Sequence, residues 1–184
     1  GTPCELAWFP QGLAWQWSGV CRSLVKKDAK HRTLKSHLAW LQECGAITRQ
    51  EAVSMIPPLC LDVRPDHLVL DLCAAPGSKS SQLVEMMCWE GDRFPDGALV
   101  ANELAGKRAE VLAHQLGRLG SPCAVVTNFD ACFFPCLEDA DGRSLRFDRV
   151  LADVPCSGDG TMRKHPSLWD KWTLADALGL HQRQ

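Results

Sequence analysis

No two of the ten cysteines in this 184-residue chain stand at the Cys-x-x-Cys spacing of a zinc knuckle. Cys4, Cys21, Cys44, Cys60, Cys73, Cys88, Cys123, Cys132, Cys136 and Cys156 are scattered instead. Several sit in apolar runs, where a free thiol acts as a small hydrophobe, so a reduced compartment is expected, with neither a disulfide framework nor a bound metal. No apolar run approaches the ~20 residues that cross a bilayer, and the expectation is a soluble chain with no membrane partner. Internal repeats and low-complexity tracts are lacking too, which excludes solenoid and fibrous architectures. Neither sign of charge prevails: 20 Lys and Arg stand against 22 Asp and Glu, so bulk charge announces no nucleic-acid binder. An initiator Met and a signal-peptide pattern are both absent, and the chain is expected to be cut at its start.

What is present is an ordinary globular composition, 46% hydrophobic and 23% charged, long enough for one core-bearing domain plus an extension. Residues 1–66 read as an N-terminal helical extension. Leu34, Leu38 and Leu41 recur at helical spacing and Cys44-Gly45 supplies a stop. A second helix is predicted from Thr48, with Glu51 as its capping-box partner and Pro57-Pro58 as its end. Arg22, Lys26, Lys27, Lys30, Arg32 and Lys35 face only Asp28; this stretch either attracts phosphates or forms the solvated side of a helix.

From His67 strands and helices alternate. Leu68-Val69-Leu70, Leu99-Val100-Ala101, Ala124-Val125-Val126 and Arg149-Val150-Leu151-Ala152 read as strands. Ser80 to Met87 reads as the first intervening helix. The second presents Ala109, Leu112, Leu116 and Leu119 on one face and stops at Gly120. Asp130 to Arg146 is a long polar loop turning at Asp141-Gly142, and Trp172 to Gln184 begins another helix. This is an α/β, Rossmann-like pattern with a parallel sheet and right-handed crossovers over residues 67–184. The fourth strand would be an exposed hydrophobic edge, so the C-terminal strands of the sheet are expected to be missing.

Two strand-end segments carry the chemistry: Asp71-Leu72-Cys73-Ala74-Ala75-Pro76-Gly77-Ser78-Lys79 and Ala152-Asp153-Val154-Pro155-Cys156-Ser157-Gly158. Ligands of open α/β sheets lie over the carboxyl ends of the strands, and a helix N-terminus there attracts a carboxylate or phosphate. A dinucleotide site would show G-x-G-x-x-G and a P-loop a longer glycine spacing; this turn has only Gly77. Such a turn fits a cofactor without a pyrophosphate, such as S-adenosyl-L-methionine. Glu103, closing the second strand, can take both hydroxyls of a ribose, and Asp130, after the third, an adenine amino group. Taken alone, Glu103 reads better as a helix-start acid and Asp130 also reads as a turn Asp, but with the turn after the first strand they close successive strands.

The same segments resemble the Sun-domain RNA cytosine-5 methyltransferases, and most of all the branch that methylates tRNA. The resemblance runs through Leu6-Ala7-Trp8-Phe9-Pro10, Leu13-Ala14-Trp15 and Arg49-Gln50-Glu51-Ala52-Val53-Ser54-Met55-Ile56-Pro57-Pro58-Leu59. It continues through the Cys73 to Lys79 turn and Asp153-Val154-Pro155-Cys156-Ser157-Gly158-Asp159-Gly160-Thr161-Met162-Arg163-Lys164. It implies a class I S-adenosylmethionine-dependent methyltransferase fold. It further implies cofactor contacts by Cys73, Ala74, Ala75, Pro76, Gly77, Ser78, Lys79, Glu103, Asp130 and Asp153, and catalytic parts for Lys79, Asp153 and Cys156. Glu103 departs from the family's usual Asp; its longer arm still reaches a ribose diol.

The implied reaction needs a thiolate because C5 of cytosine is a poor nucleophile until a thiol adds at C6. A carboxyl at N3, here Asp153, stabilises the adduct. In the Sun-domain family the attacking cysteine belongs to a second motif on the next strand, and the Pro-Cys cysteine, here Cys156, assists release of product. Nothing in the chain matches that second motif, which is expected beyond Gln184, so the chain alone is expected to be inactive. Arg163, Lys164 and His165 could hold RNA backbone or form a solvated loop. Trp169 and Trp172 read as packing residues, with base stacking as the other option. Cys132 and Cys136 read as structural or incidental. The resemblance implies tRNA or other RNA as the partner and the nucleus as the location, otherwise the cytoplasm; a monomer is expected. A non-catalytic cofactor- or RNA-binding fragment is the alternative, and a nucleotide-dependent oxidoreductase lacks its fingerprint.

Overall fold

A computed structural model describes residues 2–17, 32–88 and 94–184. The basic residues Arg22, Lys26, Lys27 and Lys30, together with Cys21, lie outside the described residues. Within residues 2–17 the helical expectation gives way to a hairpin. Strand β1 (Pro3–Glu5) pairs antiparallel with β2 (Trp15–Trp17), Cys4 standing opposite Gln16. The intervening turn uses left-handed backbone at Gln11 and Gly12, and Trp-Gln-Trp alternates as a strand does.

Helix α1 (Arg32–Glu43) ends as predicted at Gly45, whose φ of +76° closes the last turn. The helix expected from Thr48 does not form. Ala52–Met55 make a 3-10 turn, and helix α2 (Ile56–Cys60) begins at the prolines instead of ending there. Pro57 lies in the first helical turn, where the missing N–H has no intrahelical acceptor to lose. Glu51 is drawn away from a capping role by an ion pair with Lys164, and Thr48 donates to Glu85 instead.

The remaining chain builds one parallel sheet in the order β5-β4-β3-β6. Its strands are β3 (Leu68–Asp71), β4 (Ala98–Asn102), β5 (Ala124–Thr127) and β6 (Arg149–Leu151). Leu70 faces Val100 on one side and Val150 on the other. Short apolar runs buried on both faces suit such central strands, and Val69, Leu99 and Ala101 are fully buried. Helices α3 (Ser78–Met87) and α4 (Gly106–Gly117) cross between strands and fill the core with Leu83, Val84, Met87, Leu112 and Leu116. The chain turns back on itself beside β3, so the direction of strand succession reverses between β3 and β6. Helix α5 (Leu168–Lys171) and helix α6 (Leu174–His181) follow β6. The helix predicted over Trp172 to Gln184 forms as α6, its start set at Leu174 by the capping box of Thr173 and Asp176, while the short α5 before it was not predicted. No helix among the described residues is long and apolar enough to cross a membrane.

Candidate functional site

The reversal beside β3 leaves a crevice over the carboxyl ends of the strands, and the sequence segments singled out above surround it. β3 ends in Asp71, whose carboxyl is 1% exposed and accepts from Ser80 Oγ at 2.7 Å. Burial pushes its pKa up to about 6, against the pull of Ser80, the Cys73 amide and Lys79. The turn then closes on Gly77, the N-cap of α3, at φ +107°. A Cβ there would stand 3.0 Å from Leu112 Cδ1 and 3.2 Å from Gln115 Cβ, so only glycine lets α3 start this close to α4. Ala74 N donates to Asn102 O at 2.8 Å, and Ala75 O accepts from Arg108 Nη2 at 2.7 Å.

Three carboxylates arrive from the other strand ends. Glu103, after β4, is 4% exposed; its Oε1 accepts from Ala105 N at 3.0 Å, and both oxygens lie 3.4 Å from Arg108 Nη1. Asp130, after β5, accepts from Cys132 N at 3.0 Å and from Arg183 Nη2 at 3.3 Å. Asp153, after β6, holds Lys79 Nζ at 2.6 Å. A cavity of about 450 Å³ brings together Cys73, Ala75, Glu103, Asp130, Asp153 and Cys156. Ala74, Pro76, Gly77, Ser78 and Lys79 form the turn behind that lining, Lys79 meeting the site through Asp153. Burial and the nearby Asp71, Glu103 and Asp153 raise the Cys73 pKa and keep it a thiol, which suits a wall rather than a nucleophile. Cys156 is exposed at the rim. Among the described residues no group of three or more His, Cys, Asp or Glu side chains could hold a metal ion.

The family model described as 16S rRNA methyltransferase RsmB/F matches residues 58–184, the whole sheet and both strand-end segments. The chain belongs to the RsmB/F methyltransferase family. It is 47% identical over 185 residues to the tRNA (cytosine(34)-C(5))-methyltransferase of Drosophila melanogaster, covering 97% of this chain and 25% of that one. It is 46% identical over 188 residues to the multisite-specific tRNA:(cytosine-C(5))-methyltransferase of Saccharomyces cerevisiae, covering 100% of this chain and 27% of that one. The crystal structure of PH0851 superposes with a TM-score of 0.63 at 27% identity, over 77% of this chain and 30% of that one. The chain thus spans about a quarter of the length of these curated relatives. The fold is the Rossmann-like class I methyltransferase fold.

Against this RsmB/F framework, several residues of the site escape a reading of strand ends alone. Arg108 binds Glu103 and the Ala75 carbonyl together; a basic residue one turn into the helix after an acidic strand end was the available signal. For Asn102 the signal was a polar residue closing an apolar strand; it is fully buried against the cavity. Arg183 and Gln184 reach the site from the residues after α6, Gln184 Nε2 donating to Pro155 O at 2.6 Å, which no local pattern announces. Cys132 and Cys136, read as structural or incidental, are both exposed, and Cys132 lines the cavity while Cys136 lies outside it. Trp169, read as a packing residue, is 72% exposed because the short α5 turns that face to solvent.

Proposed function

We propose that this chain forms the cofactor-binding part of an S-adenosyl-L-methionine-dependent RNA cytosine-5 methyltransferase acting on tRNA, with residues 67–184 as the methyltransferase part and 1–66 as an extension. The observation that carries the reading is the convergence of Glu103, Asp130 and Asp153, from three strand ends, on one cavity beside Cys156. The donor set suits the cofactor: carboxylates for ribose hydroxyls and an adenine amino group, and a helix start for a carboxylate. A volume of about 450 Å³ lies within the range of small-molecule sites. S-adenosyl-L-methionine supplies, when bound, an activated methyl group. Glu103 accepts the ribose hydroxyls while Arg108 holds its carboxylate in place, and Asp130 faces the adenine. The turn from Cys73 to Lys79 takes the methionine end at the start of α3.

Asp153, held by Lys79, orients the target cytosine through N3 and balances charge in the adduct formed by a thiol at C6. Cys156 is the thiol that assists release rather than the one that attacks, so these 184 residues do not turn over by themselves. On their own they act as a cofactor- or RNA-binding fragment. The protein works as a monomer in the nucleus, which sedimentation and imaging of a tagged copy test.

Two measurements decide the reading. Calorimetry with S-adenosyl-L-methionine is expected to show binding that Glu103→Ala or Asp130→Ala weakens; NAD binding in its place would overturn it. Incubation with methyl-labelled cofactor and unmodified tRNA is expected to transfer no label. Transfer that vanishes in Cys156→Ala would make Cys156 the attacking thiol and reverse its assigned role.

A further inference from the structure

Asn102 is the last residue of β4, and its side chain is 0% exposed. A buried carboxamide is costly unless its donors and acceptors are filled. This one fills all four positions. Nδ2 donates to Leu72 O at 3.1 Å and to Phe129 O at 2.9 Å. Oδ1 accepts from Thr127 Oγ1 at 3.0 Å and from Phe129 N at 2.9 Å. Its backbone carbonyl adds the bond to Ala74 N at 2.8 Å.

The partners lie in the site. Leu72 and Ala74 flank Cys73 in the turn after β3, Phe129 precedes Asp130 after β5, and Glu103 is the next residue along the chain. A single residue therefore joins three of the four strand ends that present the cavity's polar groups, those after β3, β4 and β5, and Asn102 itself lies on the cavity wall. An apolar residue of the same volume would fill the space but leave the Leu72 and Phe129 carbonyls and the Phe129 amide without these partners. An aspartate would turn an oxygen toward two carbonyls.

We infer that Asn102 is a positioning residue. It fixes the spacing between the Cys73 turn and the Asp130 loop, so that a bound cofactor meets both at once, its methionine end at the turn and its adenine at Asp130. The inference rests on the cofactor reading proposed above. Its consequence is that Asn102 acts on affinity through Asp130, not merely on the stability of the sheet.

Calorimetric titration of the 184-residue chain with S-adenosyl-L-methionine tests this, using Asn102→Asp, Thr127→Val, Asp130→Ala and the double variants with Asp130→Ala. Asn102→Asp is expected to weaken binding at least ~tenfold and Thr127→Val, which removes one donor to Oδ1, ~threefold. Thr127→Val carries the test where Asn102→Asp does not fold. The loss caused by Asp130→Ala is expected to shrink in both backgrounds, because an Asp130 already misplaced has less to lose. Folded Asn102→Asp or Thr127→Val that binds like the unaltered chain, or losses that add in full to that of Asp130→Ala, would overturn the inference. If the unaltered chain binds no cofactor, the functional reading falls first and the inference falls with it.

Discussion

The turn after β3 and the loop after β6 carry the two segments from which the site is built, and they are held in opposite ways. The first is set into the core: Asp71, Ala74, Ala75, Gly77 and Ser80 are buried, and bonds from Asn102, Arg108 and Ser80 converge on it. The second hangs from a strand that, among the described residues, pairs only with β3, and Asp153, Pro155 and Cys156 are exposed. Within it, side-chain bonds run from Ser157 Oγ to Asp159 Oδ1 at 2.8 Å and from Thr161 Oγ1 to Gly158 O at 2.7 Å, and its ties to other elements include the ion pairs of the exposed Asp153 and Lys164. The Lys79–Asp153 pair ties the two. A buried cradle and an exposed rim are what the cofactor and RNA proposed above would each require.

The contrast can be broken most forcefully in the core. Leu112→Ala, at a fully buried position on α4, is expected to cost ~2–5 kcal/mol, whereas Val150→Ala, 46% exposed on β6, should cost less than ~1 kcal/mol. Urea titrations giving the two variants equal midpoints would dissolve the distinction. The buried carboxyl of Asp71 comes next. Its pKa stands near 6 folded against an ordinary 3.8, so between those values the folded chain keeps a proton the unfolded chain has released. The stability this gives is complete below about pH 4 and is lost as pH rises through about 6, amounting to about 3 kcal/mol. Asp71→Asn should therefore gain on the unaltered chain between those pH values. Parallel stability profiles for the two proteins would refute the assignment.

Two glycines sharpen the comparison at smaller scale. Gly77→Ala forces a side chain into φ +107° against Leu112 at 3.0 Å, a cost of ~2–3 kcal/mol. Gly158→Ala, at φ +82° with its nearest contact at 3.5 Å, should cost ~1 kcal/mol. Thermal melts in which Gly158→Ala proves the worse would place the rigid element on the wrong loop. Smallest of all, Glu51→Gln removes the exposed partner of Lys164 and should change stability by less than ~1 kcal/mol, measurable by differential calorimetry. A larger loss would show the rim to be braced by residues 49–55.

Strands β3, β4 and β5 were legible because a parallel sheet demands continuous apolar runs, and Leu68 to Leu70, Leu99 to Ala101 and Ala124 to Val126 supply them. α4 was legible from Ala109, Leu112 and Leu116, with Gly120 stopping the chain just beyond it at φ +63°. The positions of Glu103, Asp130, Asp153 and Cys156 around one crevice follow from topology once the strands are placed. The first hairpin was not legible, because three-residue strands leave too short a pattern to tell from a helix turn. Pro57 misled for a different reason: a proline ends a helix in its interior but starts one in its first turn, and only the finished backbone says which applies. The reach of Arg183 to Asp130 joins residues far apart in the chain through side chains alone, beyond any periodicity.

The register of the sheet carries one more consequence, for the order in which the molecule assembles. Leu70 meets Val100 across one edge of β3 and Val150 across the other, so the second pairing closes a far longer loop. Loop closure grows costlier with length, by ~0.6 kcal/mol for each doubling, and distant pairings form more slowly. β3, β4 and β5 are therefore expected to come together first, and β6 to dock on a sheet already formed. The polypeptide would then finish its small-molecule cradle before the acid of the Asp-Val-Pro-Cys segment takes its place beside Lys79.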